Sequence, residues 1–261
     1  MALLLLFVQC VVLCVGLVTV FFVVALLRGR RYDVIDSGWG LLFLAVALYS
    51  FITSPNRQPV GWIAVAAVSS WSIRLASHIF RRWLRAPDED PRYVVLRRNW
   101  SQRWLPLQMY LRVYLVQAVL ACVVSLPVIA LLKAQPDANA LVYAGLTLWA
   151  IGFALEVVAD RQLAAFLAPA GNRGQLMTTG LWRYSRHPNY LGELTLWWGL
   201  AVMALATPDG WIGLVGAGTL TVLIVFVSGI PPAERRAERK PGWSGYRTRT
   251  PVLLPLPGGR R

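Results

Sequence analysis

The chain has 261 residues, of which 57% are hydrophobic and 15% charged, and it carries a net charge of +14. So apolar a composition excludes an ordinary soluble domain, and the basic excess raises nucleic acid as a partner only until its distribution along the chain is considered. Three cysteines and two histidines are too few for a disulfide framework or a multi-histidine metal centre, so no metal is expected.

Crossing a bilayer takes roughly 20 apolar residues per helix. Seven runs qualify: 2–27, 34–52, 60–79, 106–132, 140–158, 188–206 and 210–230. They predict an all-α, polytopic integral membrane protein with about seven transmembrane helices, folded as a single membrane domain over 1–261. The first run reads as a helix and not a signal peptide. Its apolar stretch is too long for an h-region, no basic n-region precedes it, and no small-residue cleavage site follows. Cys10 and Cys14 lie one turn apart on that helix and Cys122 lies in the fourth; all three read as small buried apolar residues.

The segments 28–33, 80–105, 159–187 and 231–261 hold 22 of the 26 Lys and Arg, whereas the loops between them on the opposite side hold only Arg57 and Lys133. By the positive-inside rule this asymmetry orients the chain N-out and C-in. It also accounts for the high basicity without nucleic acid. The expected location is a bacterial inner membrane, or the endoplasmic reticulum in a eukaryote, with lipid as the surrounding partner.

Charged residues within spans are costly and need a reason. In chain order they are Asp33 and Asp36 entering the second span, Arg74 and His78 leaving the third, and Arg112 entering the fourth. Glu156 and Asp160 leave the fifth on one helical face, and Glu193 enters the sixth. In the N-out orientation all lie in the cytoplasmic half, so they predict a polar cavity open to the cytoplasm. The competing reading has them snorkel to the interface or pair with arginines. Residues 80–105, where arginine alternates with Trp and Tyr, are too charged to span and suit an interfacial segment lying on anionic lipid. The triplet Asp88-Glu89-Asp90 within them is expected to be a solvated turn.

The densest polar stretch is GLWRYSRHPNYLGEL, residues 180–194. Gly180 breaks the chain and Pro188 suits the first turn of the sixth helix. Free backbone N–H groups, with Arg183, Arg186 and His187, then face whatever sits at the helix start, an arrangement favouring phosphate. Asn189 and Glu193 share one face a turn further in, where together they can hold an amide. The bland alternative is a basic-aromatic belt with Asn189 and Glu193 as interhelix glue.

This stretch resembles the signature of the steroid 5α-reductase-like membrane family, which includes the delta-14 sterol reductases. The likeness continues through LEVVADRQLAAFLAPAGNRGQLMTTGLW (155–182) and ERRAERKPGWSGYRTRTPVLLPLP (234–257). The resemblance implies an NADPH site over 140–257 and substrate-side helices over 1–133. It places Asp160, Arg173, Tyr184, Asn189, Tyr190, Glu193 and the tail from Glu234 through Glu238 to Tyr246 around the cofactor. Arg173, Arg183, Arg186, Arg235 and Arg239 would supply counter-charge, and Trp243 and Tyr246 flat faces or hydrogen bonds. No GxGxxG motif follows a strand, so the helices themselves would bind the dinucleotide.

The implied reaction is reduction of the conjugated C=C bond of a lipophilic enone, for instance a 3-oxo-delta-4 steroid. It needs a hydride donor and a general acid at the carbonyl oxygen. The family places an acidic residue on the second helix and a tyrosine on the third at that oxygen. Asp36 matches the acid; residues 60–79 contain no tyrosine, leaving Trp71 and His78 as candidates, with Tyr93 beyond the helix. Two other classes remain open. An S-adenosylmethionine-dependent isoprenylcysteine carboxyl methyltransferase shares a similar RHP-x-Y-x-G motif, and a non-catalytic sterol-binding protein would need no polar site.

Overall fold

The computed structural model describes residues 2–54, 57–172 and 174–254, and among them every regular element is helical. In chain order the helices are α1 (Ala2–Leu27), α2 (Val34–Thr53), α3 (Pro59–Arg85), α4 (Pro91–Leu96) and α5 (Gln102–Val124). Then follow α6 (Leu126–Ala134), α7 (Ala140–Leu167), α8 (Pro188–Ala204), α9 (Ile212–Val222), α10 (Ile230–Ala237) and α11 (Trp243–Arg249). Six stretches are long and apolar enough to cross a membrane: α1, α2, α3, α5, α7 and the run Ile212–Ala237 that carries α9 and α10. The chain is a polytopic integral membrane protein. The expected count was seven. The remaining expected run, 188–206, forms α8, whose 17 residues extend about 26 Å, the short limit for crossing a hydrocarbon core of about 30 Å; the N-out, C-in orientation requires it as the seventh crossing.

Proline sets several boundaries. Pro59 and Pro188 open α3 and α8, where a missing N–H costs nothing. Ser54 and Ala86 close α2 and α3 in extended conformation, each directly before a proline. The run 106–132, expected as one helix, is instead divided at Ser125. Pro127 has no N–H to continue the ladder, and α6 starts one residue before it, at Leu126. The last apolar run likewise passes through a π turn at Leu223–Val227 and breaks at Ser228 and Gly229 before α10.

The chain divides into two compact units: Met1–Asn139 with Ala204–Gly216, and Ala140–Met203 with Ala217–Arg261. In the first, α1 buries a single stripe of Leu6, Cys10, Cys14 and Val18, spaced every fourth residue, while Leu4, Leu5, Val12 and Val20 stay exposed. That pattern suits a helix with one face on protein and the rest on lipid. Helices α2 and α3 nearly touch at Gly40, where an added Cβ would lie 2.6 Å from the Ser72 carbonyl oxygen. Phe43 packs edge-on against Trp71 at 5.3 Å between ring centroids.

In the second unit, α7 and α8 meet backbone to backbone. Gly145 and Gly152 on α7 and Gly192 and Gly199 on α8 are each two turns apart. A Cβ at Gly199 would lie 2.6 Å from the Gly145 carbonyl oxygen, and one at Gly152 would lie 2.6 Å from that of Gly192. Early residues of one helix face late residues of the other, so the pair is antiparallel. Small residues at such a crossing let main chains approach without a hydrophobic driving force between helices. The same register carries Asp160 towards Asn189.

Candidate functional site

Among the described residues, two polar clusters contain the expected site residues, one in each unit. In the first, Asp36 sits in the opening turn of α2. Tyr93 Oη donates to Asp36 Oδ1 at 2.7 Å, and Arg92 Nη2 pairs with Asp36 Oδ2 at 2.7 Å. Both partners come from α4, a helix too short to persist unaided. Asp90 caps it by accepting the Arg92 backbone N–H at 2.9 Å, and Pro91 opens its first turn. A reciprocal pair of bonds fastens this segment to the start of α2. Tyr32 N donates to Glu89 Oε1 and Asp90 N donates to Asp33 Oδ2, both at 2.9 Å. Trp83 Nε1 adds a bond to Asp33 Oδ1 at 3.0 Å, and Arg97 pairs with Glu89 at 2.6 Å.

The triplet Asp88-Glu89-Asp90 is therefore not the solvated turn that its composition suggests. Asp88 is exposed, but Glu89 cross-links the segment to Tyr32 and Arg97, and Asp90 spends its carboxylate on Arg92 while its backbone N–H reaches Asp33. Burial raises the Glu89 carboxyl even though the Tyr32 N–H and Arg97 oppose it. Burial acts against the Asp90 carboxylate too, but its bonds to Arg92 outweigh it and hold the group below its ordinary value. The buried Tyr93 phenol is pushed well above the ordinary tyrosine range, first by burial and then by the Asp36 charge. It stays protonated throughout the neutral range.

Of the two aromatic proton-donor candidates on α3, Trp71 is buried against Phe43 and His78 is exposed. The tyrosine on Asp36 is one the span-by-span reading set aside. Arg92 was not singled out at all. The available signal was local: Asp-Pro before Arg-Tyr marks a capped turn, and that Tyr is the sole aromatic between Trp83 and Trp100.

The second cluster surrounds the entrance to α8. Asn189 Nδ2 donates to Asp160 Oδ1 at 3.2 Å, joining α8 to α7. Asn189 Oδ1 is buried and accepts no hydrogen bond among the described residues. Glu193 is half-buried one turn on, and Glu156 is buried on the α7 face towards Gly192. His187 stacks on Tyr190 with centroids 5.4 Å apart.

Other members of the expected set hold the tail in place. Arg186 pairs with Glu234 at 2.7 Å and donates to the carbonyls of Arg247 and Thr250 at 2.9 and 2.8 Å. His187 Nε2 lies 3.1 Å from the same Glu234 carboxylate. Burial lowers the His187 imidazole below its ordinary value despite Glu234, so it is neutral at neutral pH and donates from Nε2. Tyr246 Oη donates to the Trp182 carbonyl at 2.6 Å, and burial pushes that phenol up to about 12. Trp243 is buried beneath Arg186, 5.7 Å from its guanidinium carbon. Arg183, Tyr184, Arg235 and Arg239 are exposed, and Glu238 pairs loosely with Arg247 at 4.0 Å. Arg173 lies outside the described residues. Gln162, not anticipated, accepts the Leu181 N–H at 2.9 Å and so positions the turn after Gly180.

The sequence profile of a family described as "Protein of unknown function (DUF1295)" matches residues 21–250. The chain is also similar to "Uncharacterized protein C594.04c" of Schizosaccharomyces pombe, at 25% identity, over 72% of this chain and 62% of that protein. The chain thus spans about three-fifths of the length of that relative. No solved structure matches.

Proposed function

The chain belongs to that family, and within it we propose an NADPH-dependent membrane reductase that saturates the conjugated C=C bond of a lipophilic enone, a 3-oxo-delta-4 steroid or a similar molecule. The Tyr93–Asp36 contact carries this reading. A buried phenol 2.7 Å from a carboxylate, itself balanced by Arg92, is a proton donor of the kind an enone carbonyl requires. Rotation about its C–O bond turns the Tyr93 hydroxyl from Asp36 Oδ1 towards a carbonyl oxygen. Arg92 keeps the Asp36 charge compensated when that bond is released.

The second cluster suits the dinucleotide. Among the described residues Asn189 Oδ1 is a buried acceptor without a donor, suited to the N–H of a carboxamide, and its geometry is fixed by the bond from Nδ2 to Asp160. A buried acceptor without a donor is costly, so a ligand that supplies one gains accordingly. The exposed Arg183, Arg235 and Arg239 offer cations to phosphates. Arg186 contributes by holding the tail to α8, because its donors already serve Glu234 and two carbonyls. NADPH, when bound, supplies the hydride. With N-out, C-in topology the cofactor enters from the cytoplasm and the substrate from the lipid.

Titrating the purified protein with NADPH, NADH and S-adenosylmethionine, by calorimetry or fluorescence, tests the reading. NADPH should bind most tightly, because the exposed arginines suit a 2′-phosphate. Equal affinity for NADH, or preference for S-adenosylmethionine, would overturn it.

A further inference from the structure

The segment that delivers Tyr93 has a second, outward side. Helix α3 ends at Arg85 and α5 begins at Gln102, and both lie in membrane-crossing stretches. The chain between them therefore stays at one membrane face. Of the six residues of α4 only Tyr93 is buried. Val94, Val95 and Leu96 are 50, 72 and 48% exposed, a run of apolar side chains left largely uncovered. In the flanking sequence Arg81, Arg82, Arg85, Arg98 and Arg103 are all exposed, and so is Trp104. Two of the three acidic residues here, Glu89 and Asp90, are engaged with Arg97 and Arg92. The exposed surface of this segment thus combines a short apolar run, five flanking arginines and a tryptophan. That composition fits the boundary between anionic headgroups and acyl chains, and no protein surface is needed to explain it.

We propose that residues 86–104 dock on anionic phospholipid, with Val94, Val95 and Leu96 in the acyl boundary and the arginines on headgroup phosphates, and that this docking holds Tyr93 against Asp36. The second half rests on the reductase reading; the first does not. Helix α4 is short, and its inward hold consists of the polar contacts of Glu89, Asp90, Arg92 and Tyr93 with the start of α2 and one from Gln117 of α5 to the Tyr93 phenol, so what covers its outer face bears on where the phenol sits. Lipid charge would then set turnover as well as location.

The test places an environment-sensitive fluorophore on a Val95→Cys variant, since the native Cys10, Cys14 and Cys122 are all buried. The labelled protein is reconstituted in phosphatidylcholine vesicles with or without about a third phosphatidylglycerol, enough to give a negative surface potential. Emission should move to the blue on the anionic vesicles, return on raising the salt, and lose its charge dependence in an Arg98→Gln/Arg103→Gln background. Identical emission on both vesicles, or a charge response that survives both high salt and the double substitution, would overturn docking. The salt series on the parent protein stands even if the double variant fails to fold. Unlabelled protein should turn over several-fold faster on anionic vesicles. Equal turnover on the two would overturn the coupling, whereas protein without NADPH turnover but with the emission shift would overturn the reductase reading and leave docking in place.

Discussion

Deleting one oxygen atom separates the two roles open to Tyr93. As the proton donor at a substrate carbonyl, Tyr93→Phe should slow turnover and leave NADPH affinity unchanged. A hydrogen bond to a charged or developing-charge partner is worth about 1.5–3 kcal/mol, or roughly ten- to a hundredfold in rate. If the phenol only ties α4 to Asp36, turnover per folded molecule should survive while the melting temperature falls. His187 gives a prediction in pH. Its folded value is lowered by burial, so as pH falls through about 6.5 the unfolded chain takes up the proton first. Stability should be complete above that pH and decline as pH drops towards the folded value. Melting curves between neutral and mildly acidic pH should show the decline, and His187→Gln should flatten it. At this scale the sequence exposed Asp36, Asn189 and Glu193, because a charge or amide in an apolar run stands out. It did not place Tyr93 on Asp36, because that contact joins separate elements and depends on α4 folding back.

Among the elements, the α7–α8 pair carries the strictest requirement. At Gly152 an added methyl would strike the Leu196 backbone nitrogen and the Gly192 carbonyl, atoms that cannot swing aside as a side chain does. Gly152→Ala should therefore cost on the order of 1–3 kcal/mol, the usual range for overpacking. It should also disturb the Asn189–Asp160 bond further along the same interface. Gly171→Ala, with nothing within 4 Å of the new methyl, should be close to neutral. Thermal unfolding in one detergent compares the two, and equal melting temperatures would remove the close approach as a constraint. Helix positions were largely legible from apolar runs and their bounding prolines. The division at Ser125 was not, because Leu126 to Leu132 continue the apolar run without a change in composition. The interfacial segment was legible as charged and aromatic. Its cross-linking role was not, because Glu89 finds Tyr32 and the Asp90 N–H finds Asp33 only once the start of α2 is beside them.

At the scale of the molecule, the asymmetry of 22 basic residues in four segments is the basis for proposing that the cofactor enters from the cytoplasm. The fold class follows from composition alone, since so apolar a chain has few alternatives to membrane helices. The chemistry needs the clusters themselves. In the proposed chemistry an enone receives a hydride from NADPH. The most direct measurement incubates reconstituted protein with NADPH deuterated at the transferable position of its nicotinamide ring and a panel of lipophilic enones, and reads the products by mass spectrometry. One deuterium per product at the former β-carbon, with matching loss of NADPH and loss of the label in Asn189→Ala, is the expected result. Unlabelled enone recovered intact from the whole panel, by protein that binds S-adenosylmethionine in place of NADPH, would contradict it.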